Sequence, residues 1–195
     1  VCNVSFAGDT LIKYARADIS VAVSTPTGLI TPIIVDAASG VSGAGRLLNH
    51  GTQFCAIDGN FKAYGLTKHR HTAEMELVSG GQVLFTPHLM PTSRGILATC
   101  YAKAVGSADP LEILRAAYAA EPFVHVGERL PETKWATGSN AAFVSARFDE
   151  RTGMIISLCA IDNLGKGAAG QMVQCANLMM GFEEAAGLSA IGIYP

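Results

Sequence analysis

The sequence predicts an α+β protein, a largely antiparallel mixed sheet with helices on one face. Two strand–turn–strand patterns carry that expectation. QVLFTPHL (82–89), the turn MPTSRG and ILATCYAKAV (96–105) read as a long antiparallel hairpin; AAFVSARF (141–148), the turn DERTG and MIISLCAID (154–162) read as a second pair of strands. The third observation is a pair of helical segments, LEILRAAYAAEP (111–122) and roughly Ala168 to Gly181, each with its own start or stop signals.

Taken in order, apolar and small residues alternate from Ile19 to Val23, STPTG supplies turn chemistry, and LITPIIVDA (29–37) resumes as an apolar run with β-branched residues, so two strands are expected around a turn. SGVSGAGR (39–46) is too rich in glycine for a helix and suits a ligand-facing or partner-facing loop that exposes backbone N–H groups. GTQFCAIDGNFKAYG (51–65) reads as extended. A helix starts near His71, with Glu74 and Glu76 favouring its positive end. Asp109 is the N-cap of the next helix, Pro110 its first residue, and Leu111, Leu114 and Tyr118 share one face; Pro122 closes it. Gly181 and Gly187 terminate the last helix.

A chain of 195 residues suits one domain, or a domain with an appendage. Hydrophobic residues at 49% against 15% charged imply a large surface covered by a partner, either another copy or another domain. A net charge of −2 without a basic, aromatic-interleaved cluster excludes a nucleic-acid binder. No apolar run approaches the roughly 18 residues that span a bilayer, and VCNVSFAGDT is no signal peptide, so a soluble, unexported, cytoplasmic protein is expected, with an organelle as the eukaryotic alternative. The five cysteines show no paired spacing, which supports neither disulfides nor a metal site and fits a reducing compartment.

The residues offer several candidate sites, each with a plainer alternative. His69, Arg70 and His71 precede a helix: one imidazole is able to shuttle a proton while Arg70 grips an anion, or all three form an exposed polar turn. Arg94 stands in a turn where it either binds an acid or simply meets solvent. Ser42 and Gly43 lie in a nest-like loop that matches no nucleotide motif. Asp162, Asn163 and Lys166 precede AAGQ, whose small residues admit close approach of a flat ligand; the alternative is a helix start packed on a sheet and capped by Asp162 or Asn163. Cys100 and Cys159 sit among apolar strand neighbours, where thiols are usually inert.

Together, IIVDAASGVSGAGR (33–46), FKAYGLTKHRHTAEM (61–75), VLFTPHLMPTSRGILATCYA (83–102), GSNAAFV (138–144) and IDNLGKGAAGQMVQCANLMMGFEEAAGL (161–188) resemble the N-acetyl-gamma-glutamyl-phosphate reductase family. The resemblance implies a fold similar to the catalytic and dimerisation domain of the glyceraldehyde-3-phosphate dehydrogenase type, with homo-oligomers formed through the free sheet face. It implies arginine biosynthesis: a Cys thiolate attacks N-acetylglutamyl phosphate, phosphate leaves, and NADPH delivers hydride to give the semialdehyde. By the same likeness His71 is the acid/base partner of the thiolate, Arg70 and Arg94 meet substrate anions, Asn163 and Gly170 of the AAGQ turn face the nicotinamide, and Ser42 and Gly43 border the NADP cofactor.

The departures are as informative. The family's dinucleotide-binding domain and its Asn-Pro-Gly-Cys-Tyr-Pro-Thr nucleophile motif are missing from this sequence, and Cys2 in VCNVSF does not match that motif. Ala38 stands where the family usually has Lys, Ala73 where it has Pro, and Gly165 where it has a bulkier apolar residue. NVSFAGDTLIKYARADISVAVSTPTGLITPII (3–34) resembles part of a dihydrolipoamide acyltransferase catalytic domain, without that family's His-x-x-x-Asp-Gly motif. The expected organisation is therefore a strand-rich segment at 1–34 and a reductase-like substrate-binding and dimerisation domain at 35–195. The expected role is that portion of an NADP-dependent reductase, inactive alone. The alternatives are a noncatalytic oligomerisation module on the same scaffold or an acyltransferase core fragment.

Overall fold

A computed structural model describes residues 4–7, 10–13 and 32–193. Strands β1 (Val4–Ala7) and β2 (Thr10–Lys13) pair antiparallel as a two-stranded ribbon. Of the two strands expected around the STPTG turn, the first (19–23) lies outside the described residues, and the second (29–37) appears from Ile33 onward as the start of the main sheet. The main sheet is seven-stranded. It contains β3 (Ile33–Gly40), β4 (Lys62–Ala63), β5 (Val83–Met90), β6 (Ile96–Lys103), β7 (Val124–Val126), β8 (Ala142–Asp149) and β9 (Met154–Ile161), in the spatial order β4-β5-β3-β6-β9-β8-β7.

This order corrects one expectation. β5 and β6 do not pair with each other; β3 lies between them, parallel to β5 and antiparallel to β6. Met90 pairs with Gly40 and Ile96 with Ser39, so the turn at 91–95 arches over the end of β3 instead of closing a tight hairpin. The expected β8–β9 hairpin forms in full, from Ala142 opposite Ile161 to Asp149 opposite Met154. The expected extended stretch 51–65 instead holds a one-turn helix α1 (Phe54–Ile57) and the short β4.

Side chains alternate across each strand, and the two faces differ. Val83, Ile33, Val35 and Cys100 form one buried cluster with Met75 and Phe85, under helix α2 (His71–Ser79). Ala142, Val144, Ala146, Cys159 and Ile161 form a second with Leu114, under helix α3 (Pro110–Ala117). Asp109 caps α3 as the sequence implies: its Oδ1 accepts the Leu111 N–H at 2.8 Å. On the opposite face a one-turn helix α4 (Thr133–Ala136) lays Trp135 edge-on against Phe143, while the row Leu84, Ile34, Tyr101, Ile156 carries no helix among the described residues. Leu84 is 51% exposed there.

The chain leaves β9 through a wide turn at Gly165–Ala169, in which the Gly167 N–H reaches the Asp162 carbonyl and the Ala169 N–H the Leu164 carbonyl, and enters helix α5 (Gly170–Met180). Gly181, at φ 71°, ends α5 in the left-handed conformation that glycine tolerates best.

Candidate functional site

One end of the sheet gathers the loops of interest. Ser39, Ile96, Ile161 and Ala142 are its last paired row. Just beyond it lie a short 3₁₀ turn (Val41–Ala44), the 91–95 turn and the 162–169 turn. Gly40 lies so close to the 91–95 turn that a Cβ on it would meet the Arg94 carbonyl carbon at 2.9 Å and the Thr92 oxygen at 3.0 Å, which only glycine avoids. The Gly40 N–H donates to the Gly95 carbonyl and the Val41 N–H to the Thr92 carbonyl, both at 2.8 Å.

Asp162, fully buried, anchors this end. Its Oδ1 accepts from Arg94 Nε at 3.0 Å and from the Leu164 and Gly165 N–H groups; its Oδ2 accepts from Arg94 Nη2 and the Gly138 N–H, each at 2.6 Å. Burial alone would raise the carboxyl pKa, but the Arg94 guanidinium and these N–H donors outweigh it and hold the pKa below the ordinary value. Asn163 accepts the Gly95 N–H on Oδ1 at 2.8 Å and donates from Nδ2 to Ser42 Oγ at 2.8 Å; Ser42 in turn donates to the Ser93 carbonyl. Gly43 faces the same group, since a Cβ on it would lie 3.3 Å from Asn163 Nδ2.

His71 belongs to a second group, at the N-terminus of α2. Arg70 Nε donates to His71 Nε2 at 3.3 Å, and His69 Nδ1 accepts the His71 backbone N–H at 3.3 Å. The His69 ring meets Tyr64, His71 and Phe85 at centroid separations of 5.5, 4.8 and 5.1 Å. Burial lowers the pKa of both histidines; Arg70 lowers His69 further and His69 lowers His71 further, against the opposing pull of Glu74 on each. A lowered pKa favours the neutral imidazole, whose one acceptor nitrogen, Nε2, is here engaged by Arg70.

The structure thus brings Arg94, Asn163, Ser42 and Gly43 together and places His71 with Arg70 elsewhere. Both groups border β5, the first at Met90 and the second at Phe85 and, through Tyr64, at Pro87. Gly170 stands apart from both: a Cβ on it would strike Asn140 Oδ1 and lie 2.9 Å from Gly165, so it serves close packing. Sequence reasoning noted Asp162 only as a cap and missed its pairing with Arg94. It also missed the buried relay in which Lys166 Nζ at 2.6 Å and Asn140 Nδ2 at 2.8 Å donate to Gln174 Oε1, and Gln174 Nε2 donates to Glu184 at 2.6 Å.

Residues 16–163 match the family model described as "Semialdehyde dehydrogenase, dimerisation domain". The chain belongs to that family. Among curated proteins it is 48% identical over 177 residues to N-acetyl-gamma-glutamyl-phosphate reductase of Bradyrhizobium sp. (strain ORS 278), covering 86% of this chain and 55% of the relative. It is 46% identical over 182 residues to the protein of that name from Gloeobacter violaceus, covering 86% and 52%. The chain spans about half the length of the curated relatives it matches. Two solved structures share the fold: aspartate semialdehyde dehydrogenase II from Vibrio cholerae (TM-score 0.62, 21% identity, 76% of this chain and 54% of that one) and a probable aspartate-semialdehyde dehydrogenase from Pseudomonas aeruginosa (TM-score 0.63, 20% identity, 76% and 55%). No helix among the described residues is long and apolar enough to cross a membrane.

The residues that the family likeness assigns to NADP do not form a cradle for it. Asn163 spends its carboxamide on Gly95 and Ser42, and Gly170 is pressed against Asn140. Gln171 Oε1 and Asn140 Oδ1 have no hydrogen-bond partner among the described residues, but both atoms are sealed from solvent.

Proposed function

We propose that this chain is the substrate-binding and dimerisation portion of an N-acetyl-gamma-glutamyl-phosphate reductase, with the dinucleotide site and the thiol nucleophile supplied by the part of such enzymes that it does not span. The observation that carries the chemistry is the long 3.3 Å bond from Arg70 Nε to His71 Nε2, which His71 would exchange for the thiol proton, with burial lowering the imidazole pKa and so favouring its neutral form. In this reading His71 takes the thiol proton. The thiolate then adds to the acyl carbon, the bond to the phosphate oxygen breaks, and inorganic phosphate leaves a thioester behind. The anion-binding arginines of this reading are Arg70 and Arg94, the latter with part of its guanidinium committed to Asp162. Two copies pair through the helix-free row Leu84, Ile34, Tyr101 and Ile156, which accounts for the apolar composition.

The test joins the chain to a dinucleotide-binding half that carries the Cys motif and follows NADPH oxidation with N-acetyl-gamma-glutamyl phosphate. The joined protein is expected to turn over, and His71→Gln to cut kcat by about 100-fold or more, the usual scale for losing a general base. Turnover that survives His71→Gln undiminished would sink the reading. The committed side chains of Arg94 and Asn163 favour a second reading, a noncatalytic oligomerisation module, and inactivity of every joined form would support it.

A further inference from the structure

The polar side-chain atoms of Ser42 and Asn163 are engaged with each other and with neighbouring backbone. A carboxamide offers two N–H donors and an acceptor oxygen. Asn163 uses its oxygen on the Gly95 N–H at 2.8 Å and its nitrogen on Ser42 Oγ at 2.8 Å and the Gly40 carbonyl at 3.5 Å, with the residue only 5% exposed. The Ser42 hydroxyl accepts from Asn163 and donates to the Ser93 carbonyl. Consecutive residues therefore grip consecutive residues: Asp162 holds the Arg94 side chain while Asn163 holds the next backbone N–H, and Ser42 carries the grip across to the Val41–Ala44 turn.

We propose that Ser42 and Asn163 are positioning residues, a bracket that sets the Val41–Ala44 turn against Arg94, in place of the nicotinamide contact that family likeness implies. Gly43 fits this role, because a side chain there would press on Ser39 Oγ and on Asn163 Nδ2, at 3.1 and 3.3 Å from the new carbon. A ligand that displaced Gly95 from the Asn163 oxygen would strand a buried N–H, and an unmade buried bond costs more than a new one returns. The bracket does not depend on the reductase reading; it would hold equally in a chain that performs no chemistry.

Amide hydrogen exchange and side-chain NMR of the isotope-labelled 195-residue chain test it. Asn163→Ala is expected to speed exchange at Gly95 by about tenfold, the loss of one net hydrogen bond. Ser42→Ala, which leaves the Asn163 oxygen in place, should keep Gly95 protected while Val41 exchanges faster, and combining it with Asn163→Ala should add nothing at Val41. Uniform acceleration in every variant, or additive effects at Val41, would show packing loss without a bracket and overturn the proposal. If the alanine variant fails to fold, Ser42→Ala and the wild-type chain still decide: a saturable shift of the Asn163 side-chain amide protons on titrating NADP would also overturn it.

Discussion

Arg94 and Asp162 meet side-on, with Nε 3.0 Å from Oδ1 and Nη2 2.6 Å from Oδ2, although 68 positions separate them in the chain. The carboxylate is fully buried and the guanidinium 36% exposed, so the two members respond differently to substitution. Arg94→Ala strands a buried charge and should cost near the low end of about 3–5 kcal/mol, because the Gly138, Leu164 and Gly165 N–H groups still solvate the carboxylate. Arg94→Lys keeps the charge but loses the fork and should cost about 1–2 kcal/mol. Urea unfolding ranks the pair; equal losses would show that the fork geometry adds nothing.

Acid should weaken the fold in two separate steps. His69 and His71 have folded pKa values below the ordinary one, chiefly through burial, so the unfolded chain takes up protons first and stability declines as pH falls below about 6.5. The folded pKa of Asp162 is also depressed, but its stabilisation is complete above about pH 3.9 and disappears only as pH drops through the folded value. Calorimetric Tm values between pH 8 and pH 3 should show both declines, and the first should vanish in a His69→Gln, His71→Gln double variant. Persistence of the first step in that variant would assign it to other groups.

Thiol reactivity should separate the cysteines by burial. The Cys159 thiol is pushed up to about 12, by burial first and by neighbouring Cys100 second, whereas Cys55 is exposed. At pH 8 a disulfide reagent should modify Cys55 in the native chain and leave Cys100 and Cys159 untouched until denaturant is added. Peptide mass mapping reads the outcome directly, and rapid native labelling of Cys159 would contradict its placement in the core.

What was legible in the sequence was mostly local. Asp109-Pro110 announced α3 because both the cap and the fixed proline φ act within a single turn. DERTG announced β8–β9 because a turn and alternation suffice for neighbours in sequence. MPTSRG carried the same local signals, yet β5 and β6 flank a strand made about forty residues earlier, and nothing in a turn reports which strand will fill the gap. The candidate site divides along the same line. Arg94, Asn163 and Ser42 were visible as residue types in suitable loops, but that Arg94 pairs with Asp162, and Asn163 with Ser42, depends on contacts 68 and 121 positions apart in the chain. Likeness to relatives brought out His71, whose neighbours His69 and Arg70 were adjacent in sequence and so could be named together.

The placement of β3 also sets the order in which the molecule can be assembled. Until β6 has joined, β3 has only its parallel partner β5, reached by a crossover of residues 41–82, and the closing entropy of that loop is spent before most of the sheet can repay it. Meanwhile β5 and β6, joined by a short turn of hairpin composition, are free to zip directly onto each other in a register the native sheet does not contain. Refolding should accordingly pass through a kinetic trap relieved by strand exchange, with β3 displacing β6 from β5, and the rate of that exchange should govern how long the apolar sheet face stands open to aggregation.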